Sequence, residues 1–553
     1  MAEKLLTRNQ EGQWLVEGNT VETSYEKLPL PNTLRELLLR RLEGLPPAAR
    51  ELVTITAVCG QEVDARLLDQ LMPKQSAQIM EGTENLLRQQ ILEEPRAGRL
   101  RFMNAQIREM IYERLPAEKK STCHRAVAEA IESLFGKTGQ EYLPELGLHW
   151  EHAGDVHRAR INYLAAARQA NSRYAFSDAE NYYRAYLRLS QKPALETTAV
   201  RLELCRKVLS GQGLVKAGIK ELQKAIEEAR QQNQRRLEAE CLLELSAYLR
   251  LTGQGDQAYP CCDQVMAICR EIGERALEGK AKSEYGSIYF SQSRLIEARK
   301  CFDQALTLIR RFGKRNEEGV VLFRIGLTQL QAGNLDEASH YLHEAAEIML
   351  ETKNRHWQGL IYTNLAGVHH LKMEFEAAIT LFEKALAIHQ EVSHSRGQGI
   401  VLSCLGAVRL DQGFLEKAQQ LLEQSLPILQ DTGERQYQAQ TLLRLGELER
   451  RSGGDLTQAE KFIAEAEIIF NQFHDQMGLI SGLIQRGFIA LARGELGTPF
   501  LDNIQHRALQ LDSAETRYLK HSIHNLEQAV QALKSGSKLI HGECPDLLPD
   551  PLQ

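Results

Sequence analysis

Four histidines in the middle of the chain have a spacing that is compatible with metal binding. His340 and His343 lie three residues apart, and His369 and His370 follow about one helical hairpin later. Residues three apart share one face of a helix, and zinc takes three or four nitrogen or sulfur ligands, so a metal site is one interpretation. The other is that these are solvated or packed side chains, as histidines on exposed helix positions commonly are. The second interpretation is favoured, and we expect no metal ligands in this chain.

Three cysteines, Cys261, Cys262 and Cys269, form the densest group of thiols. Adjacent thiols do not easily chelate one tetrahedral ion together, so packing inside a helix is the better interpretation. The ten cysteines of the chain show no framework spacing, and the first residues lack the apolar core of a signal peptide. Reduced thiols and a cytoplasmic location are therefore expected.

No phosphate-binding loop of the type G-x-x-x-x-G-K-[ST] occurs in the sequence. The stretch from Gly136 to Gly139 is superficially similar, but it lacks an upstream strand, and the residues before it have the pattern of a helix end. A kinase glycine loop and a His-Arg-Asp catalytic loop are also absent from the sequence. Carboxylate pairs such as Glu93 and Glu94 have no apolar surroundings that would raise a pKa for acid–base work. We therefore expect no catalytic and no cofactor-binding residues.

The overall charge favours no strongly charged partner. The chain of 553 residues carries 67 basic and 73 acidic residues, a net charge of −6. This balance produces no bulk field that would attract nucleic acid or a membrane surface. No run of 18 or more apolar residues occurs, so a membrane-spanning helix is not expected.

A period of 40 residues dominates the middle of the chain. Small residues recur at this spacing, at Ala199, Ala239, Gly279, Gly319, Gly359, Gly399 and Ala439. Two further sets in the same phase run from Ser246 to Gly446 and from Gly218 to Ala418. Helical apolar spacing lies between the sets, and glycines such as Gly333 and Gly413 mark the turns. Each unit is therefore predicted to be a helix–turn–helix hairpin, and stacked hairpins bury one continuous core.

This unit resembles the tetratricopeptide repeat in its 40-residue variant. In residues 319–353 the large, small and aromatic packing positions of that family are occupied by Leu322, Ile325, Gly326, Gly333, Ala338, Tyr341 and Ala345. The resemblance is clear over residues 195–492 and weaker over 158–192. One residue is inserted near Gly453 and Gly454, after which the small positions shift by one.

Residues before 157 lack this period. Helices are predicted near 34–44, 47–59, 64–71 and 76–89, a strand-like stretch at 13–16, and two short extended runs around a turn within 90–102. Helices followed by such a hairpin suggest a winged helix. Residues 32–135 carry 15 basic and 15 acidic residues, which is not the electrostatic footprint of a DNA-binding domain, although Arg96, Arg99 and Arg101 cluster in the hairpin.

The same region resembles the segment that follows the nucleotide-binding core in bacterial STAND-type signalling ATPases, including those fused to Ser/Thr kinase or cyclase domains. The motifs that carry this resemblance lie, in order, at 28–34, 41–46, 57–60, 101–102, 107–112 and 148–155. In that family a histidine usually stands two residues after the phenylalanine of the hairpin, whereas this chain has Asn104. The resemblance implies the arm of a signalling protein without its catalytic domain.

These observations predict an all-α fold, a right-handed superhelix of tetratricopeptide hairpins preceded by a winged-helix-like domain. The expected segments are a remnant of a preceding domain with a linker (1–31), the winged-helix-like domain (32–135), and connecting helices with a degenerate repeat (136–197). The repeats (198–492), capping helices (493–534) and a disordered tail (535–553) follow. The expected function is non-catalytic binding of a protein or peptide. Alternatives are the regulatory arm of an ATPase, kinase or cyclase, in cis or in trans, and a transcriptional regulator.

The binding surface implied by the family is the concave groove lined by the first helix of each hairpin. Its exposed stripe is expected one, four, eight and eleven residues after the periodic small residue. The corresponding residues are Lys280, Ser283, Phe290, Val320, Phe323, Leu327, Leu330, Leu360, Thr363, His370, Ile400, Ser403, Leu410, Gln440, Leu443 and Arg450. The apolar centre and polar edges of this set suit an amphipathic helix or an extended apolar peptide. The other interpretation is that its apolar members belong to the core.

Because a phosphate-binding loop is absent from the sequence, the purified protein is expected neither to hydrolyse ATP nor to bind it tightly. Calorimetric titration of ATP and Mg²⁺ into the full chain measures this directly. Binding at micromolar concentration would contradict the interpretation.

Overall fold

A computed structural model describes the parts of the chain that carry the fold. The described residues are 6–8, 14–16, 42, 44–72, 76–136, 139–173, 175–190, 195–210, 214–496, 498–508 and 513–534. The chain separates into two compact units, residues 1–171 with 177–192, and residues 172–176 with 193–553. Most of the expected segment 1–31, most of the helix expected near 34–44 and the expected tail lie outside the described residues.

The first unit combines helices with two small antiparallel sheets. Strands β1 (Leu6–Arg8) and β2 (Trp14–Val16) pair with each other. The following elements are α1 (Pro47–Cys59), β3 (Glu62–Asp64), α2 (Ala65–Leu71), α3 (Ser76–Arg88), β4 (Leu92–Arg96) and β5 (Arg99–Phe102). The second sheet has the order β3-β5-β4. The predicted helices at 47–59, 64–71 and 76–89 and the predicted hairpin are confirmed, whereas β3 is too short for the sequence pattern to predict.

The rest of the first unit is helical. Its elements are α4 (Ala105–Glu113), α5 (Ala117–Phe135), a 3-10 turn (Gln140–Tyr142), α6 (Leu143–His152), α7 (Val156–Ser172) and α8 (Phe176–Arg188). Asn104 caps α4, because its side-chain oxygen accepts the backbone N–H of Gln106 at 2.8 Å. This capping bond gives a structural role to the position at which the sequence departs from the STAND-type pattern.

The second unit is a stack of antiparallel hairpins. It opens with α9 (Leu195–Leu204), which continues as a short π-helical segment (Cys205–Leu209), and α10 (Val215–Gln231). Six further hairpins begin with α11 (Arg235–Leu251) and α12 (Gly255–Ile272), α13 (Arg275–Ser291) and α14 (Leu295–Phe312), and α15 (Arg315–Gln331) and α16 (Leu335–Glu351). They continue with α17 (Arg355–Leu371) and α18 (Phe375–Glu391), α19 (Ser395–Asp411) and α20 (Leu415–Asp431), and α21 (Arg435–Arg451) and α22 (Leu456–Gln472). The helices α23 (Gln476–Ala492), α24 (Thr498–Ala508) and α25 (Ser513–Lys534) close the stack.

The hairpins close at glycine turns and pack through small residues. Gly333 and Gly413 have φ of 78° and 84°, which residues with a side chain rarely adopt, and end the first helix of their hairpins. Gly326 of α15 lies so close to α16 that an added Cβ would be 2.8 Å from Cγ of Leu342. Two hairpins further on, an added Cβ at Gly406 of α19 would lie 2.7 Å from Cγ of Leu422. The periodic small residues are therefore contact points between two helices.

Neighbouring hairpins share one core. Phe302, Ile325 and Leu342, which belong to successive elements, are buried in a single apolar cluster together with residues of α17. First helices of neighbouring hairpins pack against each other, whereas successive second helices show no comparable contact in the described part of the chain. The first helices consequently line the inner side of the stack.

Among the described residues, no helix is both long enough and apolar enough to cross a membrane.

Two glycines allow a matched test of the packing. An added Cβ at Gly326 would collide with Leu342, whereas at Gly367, in the same type of helix, it would meet no atom within 4 Å. Gly326→Leu is therefore expected to lower the free energy of unfolding by about 1–3 kcal/mol through overpacking. Gly367→Leu is expected to leave it unchanged or to raise it slightly, because leucine is the better helix former. Thermal melts followed by circular dichroism measure both, and equal melting temperatures would contradict the register.

Candidate functional site

The sixteen residues expected to line the groove fall into two sets. Those one and eight residues after the periodic small residue are half-buried or exposed, and Val320 and Leu327 pack at the edge of the shared core. They are Lys280, Val320, Leu327, Leu360, Ile400 and Gln440. Lys280 is ion-paired with Glu317 at 2.5 Å. These positions form the inner surface of the stack.

The residues four and eleven positions after the small residue point toward neighbouring helices. Five of this set, Ser283, Phe323, Ser403, Leu410 and Leu443, are buried, and Phe290, Leu330, Thr363, His370 and Arg450 are half-buried. The ring of Phe323, 8% exposed, packs edge-on against that of Trp357 in the next hairpin, with centroids 5.5 Å apart. Oγ of Ser403 lies 2.8 Å from Oγ1 of Thr441, also one hairpin on. Phe323 is therefore a buried core residue and is not exposed in the groove.

A different set completes the inner surface and was not predicted. It lies five residues after the small residue and consists of Glu244, Glu284, Arg324, Asn364, Cys404 and Arg444. A stripe of one, five, eight and twelve also follows the 3.6-residue helical period, but it is rotated relative to the predicted stripe. The position of the neighbouring first helix decides between the two stripes, and the sequence of a single hairpin does not contain that information.

Charged residues at the N-terminal end of the inner surface are paired with one another. Nε of Arg206 donates to Glu244 at 2.9 Å, and Nε of Arg250 donates to Glu284 at 2.8 Å. Arg324 lies 3.7 Å from the same Glu284. Burial raises the pKa of Glu244, although Arg206 opposes this effect. The network leaves little uncompensated charge for a ligand.

A second network lies at the C-terminal end. Nε2 of His370 and Oδ2 of Asp411 are 2.7 Å apart, and Arg444 lies 3.7 Å from Asp411 and 2.9 Å from Glu447. Burial alone would raise the pKa of Asp411, but the Arg444 charge and the His370 hydrogen bond bring it below its usual range. Arg451 also contacts Glu447, at 3.3 Å. This end of the surface is polar and internally neutralised.

Between the two networks the inner surface is apolar. Val320, Leu327, Leu360, Ile400 and Ala407 are half-buried there. Leu371, at the end of α17, is 42% exposed, and Gly367 is open toward the inner side. The amide of Asn364 donates to the Leu360 carbonyl at 2.9 Å, and burial raises the pKa of the Cys404 thiol to about 12, so no reactive thiolate is present at this position. The centre therefore offers mainly apolar contact area.

A buried histidine interrupts the apolar packing near this centre. The second-helix position that packs on the small residue is Ile309, Met349 and Leu429 in other hairpins, but it is His389 in α18. His389 is fully buried, and its Nδ1 lies 3.2 Å from Nδ1 of His394. Burial, reinforced by the nearby His356, lowers the pKa of His389 to about 4. A histidine in an otherwise apolar periodic position is a signal that the sequence contains and that sequence reasoning missed.

The histidines considered as metal ligands have other neighbours. His340 lies 3.7 Å from Glu344, His369 hydrogen-bonds with Glu374, and His343 is hydrogen-bonded to the Ser339 carbonyl at 2.8 Å. In the described part of the chain, no group of three or more histidine, cysteine or acidic side chains is placed to hold a metal ion. Cys261, Cys262 and Cys269 are buried free thiols inside α12.

The three arginines of the first unit's hairpin form ion pairs within their own sheet. Arg96 and Arg99 contact Glu62 of β3 at 3.2 and 3.4 Å, and Arg101 contacts Glu93 of β4 at 2.5 Å. Partly exposed pairs of this kind reduce the charge available to a phosphate backbone.

Stacked helical hairpins whose two helices meet at periodic small residues define an α-solenoid of the repeat-protein class. Residues 277–351 and 397–472 match the tetratricopeptide repeat family model, and residues 360–393 match a second tetratricopeptide repeat model. This part of the chain is an array of tetratricopeptide repeats. Comparison with curated proteins finds no match.

Several solved structures are similar in fold. One is a STAND signal transduction ATPase with a tetratricopeptide repeat sensor from Pyrococcus horikoshii, at 15% identity and a TM-score of 0.42, covering 84% of this chain and 68% of that one. A Rap protein complexed with competence and sporulation factor has 16% identity and a TM-score of 0.45, covering 62% of this chain and 98% of the other. The aspartyl phosphate phosphatase F of Bacillus subtilis has 16% identity and a TM-score of 0.39, covering 68% and 93%.

Acidification is expected to destabilise the repeats through His389. Its pKa in the folded protein is about 4, below the ordinary value of 6.5, so the unfolded chain binds more protons between these values. The contribution is complete above about pH 6.5 and is lost as the pH falls, by about 1 kcal/mol between pH 7.5 and 5.5. His389→Leu, which introduces the residue found at position 429, should reduce the fall in melting temperature between these pH values.

The exposed His340 provides the matched control, because His340→Leu removes a histidine whose side chain is 66% exposed. Its pH dependence should equal that of the unmodified protein. An equally unchanged pH dependence in His389→Leu would contradict the assignment.

Proposed function

We propose that the tetratricopeptide array binds a protein or peptide segment along the inner surface of its first helices, and that this chain itself is non-catalytic. The observation that carries the proposal is the half-buried apolar centre around Val320, Leu360 and Ile400, which lies between two charge networks that neutralise themselves. Exposed apolar surface of this kind, rimmed by polar residues, is typical of protein-interaction sites.

The chemistry of this surface favours a ligand with an apolar central stretch. Leu327, Leu371 and Ala407 offer contact area, while Gly367 leaves room for a side chain of the ligand. The paired carboxylates Glu284 and Asp411 already have cationic partners, so a strongly basic or acidic tail would have to displace existing ion pairs. An amphipathic helix or an extended apolar peptide fits better.

A second candidate concerns the first unit. We propose that α1 to β5, with their helix–strand–helix–helix–strand–strand order, form a winged-helix-like domain that contacts protein. Ion pairing of Arg96, Arg99 and Arg101 within the sheet favours a protein contact over DNA and makes a transcriptional regulator the less favoured alternative. On this proposal the chain is the regulatory arm of a STAND-type ATPase, kinase or cyclase that supplies the catalysis, in cis or in trans.

Gly367→Glu is expected to abolish partner binding without unfolding the repeats. The new side chain would project into the apolar centre from a position with open space around it, so it places a charge on the surface and not in the core. Affinity capture from source lysate, with quantitative identification of the bound proteins, should show at least a tenfold loss of the specific partner.

Ala387→Glu adds the same charge at an exposed position of α18 and should leave capture unchanged. Circular dichroism melts establish that both variants are folded. Full capture of the same partner by Gly367→Glu would remove the inner surface from consideration.

A further inference from the structure

A surface cavity lies outside the inner surface, between two second helices. It has a volume of about 190 Å³, and its walls are Leu426 and Pro427 of α20 and Phe462 of α22. Leu445 and Leu448 of α21, which are 5% and 2% exposed, form its floor. Because α21 is the first helix between two second helices, the cavity lies on the outer side of the stack.

The cavity coincides with the break in the repeat. The turn from α19 to α20 leads from Asp411 to Leu415, whereas the turn from α21 to α22 leads from Arg451 to Leu456 and is one residue longer. This longer turn contains Gly454, at which an added Cβ would collide with the carboxylate of Glu449. The longer turn therefore lies against Glu449, an acidic side chain that lines the cavity.

The preceding hairpin shows what the periodic pattern would have placed there. Forty residues before Glu449 stands Arg409, whose guanidinium lies 5.9 Å from the ring of Phe414 and donates to Gln412 at 3.0 Å. Forty residues before Pro427 stands Ala387. Pro427 has no backbone N–H, so it cannot donate the helical hydrogen bond to the Glu423 carbonyl. The two residues that depart from the repeat, Pro427 and Glu449, therefore line the same cavity.

The rim of the cavity carries two carboxylates, Glu423 and Glu449. Neither forms an ion pair with any residue that the structure describes; Glu423 accepts only a hydrogen bond from the Gln419 amide, at 2.8 Å. This contrasts with the inner surface, where Glu284 and Asp411 are paired. A ligand that complements the cavity has an apolar group for the floor and a cation for the rim.

We propose that this cavity binds one bulky apolar side chain, leucine, methionine or phenylalanine, of a partner polypeptide in which a neighbouring residue is lysine or arginine. The apolar side chain packs on Leu445, Leu448 and Phe462, and the cation binds Glu423 and Glu449. The volume suits a single side chain and not a folded element, so the site is an anchor for an extended segment that crosses α20 and α22. It is a second binding site, independent of the inner surface.

The test selects ligands without assuming their sequence. A random dodecapeptide library displayed on phage is selected on the immobilised full chain, and the enriched peptides are synthesised with a fluorophore and titrated by anisotropy. The expected result is a class of peptides that pair Leu, Met or Phe with Lys or Arg and whose affinity falls as the salt concentration rises.

Matched variants assign those peptides to the cavity. Glu449→Arg, which introduces the residue of the preceding hairpin, and the double variant Glu423→Gln with Glu449→Gln should weaken them at least tenfold. Glu416→Gln, an exposed carboxylate of the same α20, should leave the affinity unchanged, as should Gly367→Glu on the inner surface. Circular dichroism melts verify folding.

Failure of this site and failure of the proposed function give different results. Peptides that lose affinity with Gly367→Glu and keep it with the Glu449 variants support the inner surface and overturn the cavity site. Enrichment of acidic peptides, or the absence of any peptide sensitive to Glu423 and Glu449, also overturns it. If Glu449→Arg instead changes the molar mass by light scattering, the occupant is a second copy of the chain, and the proposed occupant is wrong.

Discussion

The close approach of the two helices within each hairpin is the contact on which the rest of this structure depends. At Gly326 and Gly406 the leucine of the second helix sits directly against the first helix, and an added Cβ would lie 2.8 or 2.7 Å from it. Because proteins are packed as densely as organic crystals, a residue of another size at these points would change the angle of the whole hairpin. Repeating the same contact every 40 residues makes successive hairpins nearly identical, which allows them to share a core.

A polar repeat accompanies the apolar one and ties neighbouring hairpins together. An arginine begins most first helices and contacts the glutamate or glutamine three residues later, as Arg235 does with Glu238 at 2.6 Å and Arg315 with Glu318 at 2.6 Å. The same arginine reaches the end of the second helix of its own hairpin, as Arg315 reaches Glu351 at 3.1 Å. The glutamate also binds an arginine at the end of the preceding hairpin, as Glu318 binds Arg310 at 2.8 Å. Exposed pairs of this type contribute little individually, but Glu238 and Glu318 are buried, so their pairing is required wherever the array forms.

The sequence predicts the parts of this molecule that repeat and fails where three-dimensional neighbours decide. The helix bounds follow from the periodic small residues and the turn glycines. The inner surface follows only in part: Val320 and Leu360 lie there, whereas Phe323 is covered by Trp357, because the next first helix is packed on that side. The arginine series has the same period as the glycines and was available to sequence reasoning. The short strand β3 and the paired arginines of the first unit depend on strand pairing, which three residues do not encode.

Departures from the repeat carry the information that distinguishes this array from a generic one. His389 replaces an apolar residue against Gly359, and we expect it to make the packing of this hairpin sensitive to pH. The inserted turn at Gly454 and the proline in α20 lie beside a cavity whose carboxylates, Glu423 and Glu449, have no ion-pair partner among the residues that the structure describes. Two carboxylates without ion-pair partners beside an apolar cavity cost folding free energy, because like charges repel and apolar surface remains exposed to water. The carboxylates and the apolar surface lie on the outer side of the stack, away from the glycine contacts. A partner that supplies a cation and an apolar side chain would therefore offset both the charge repulsion and the exposed apolar surface without altering the repeat.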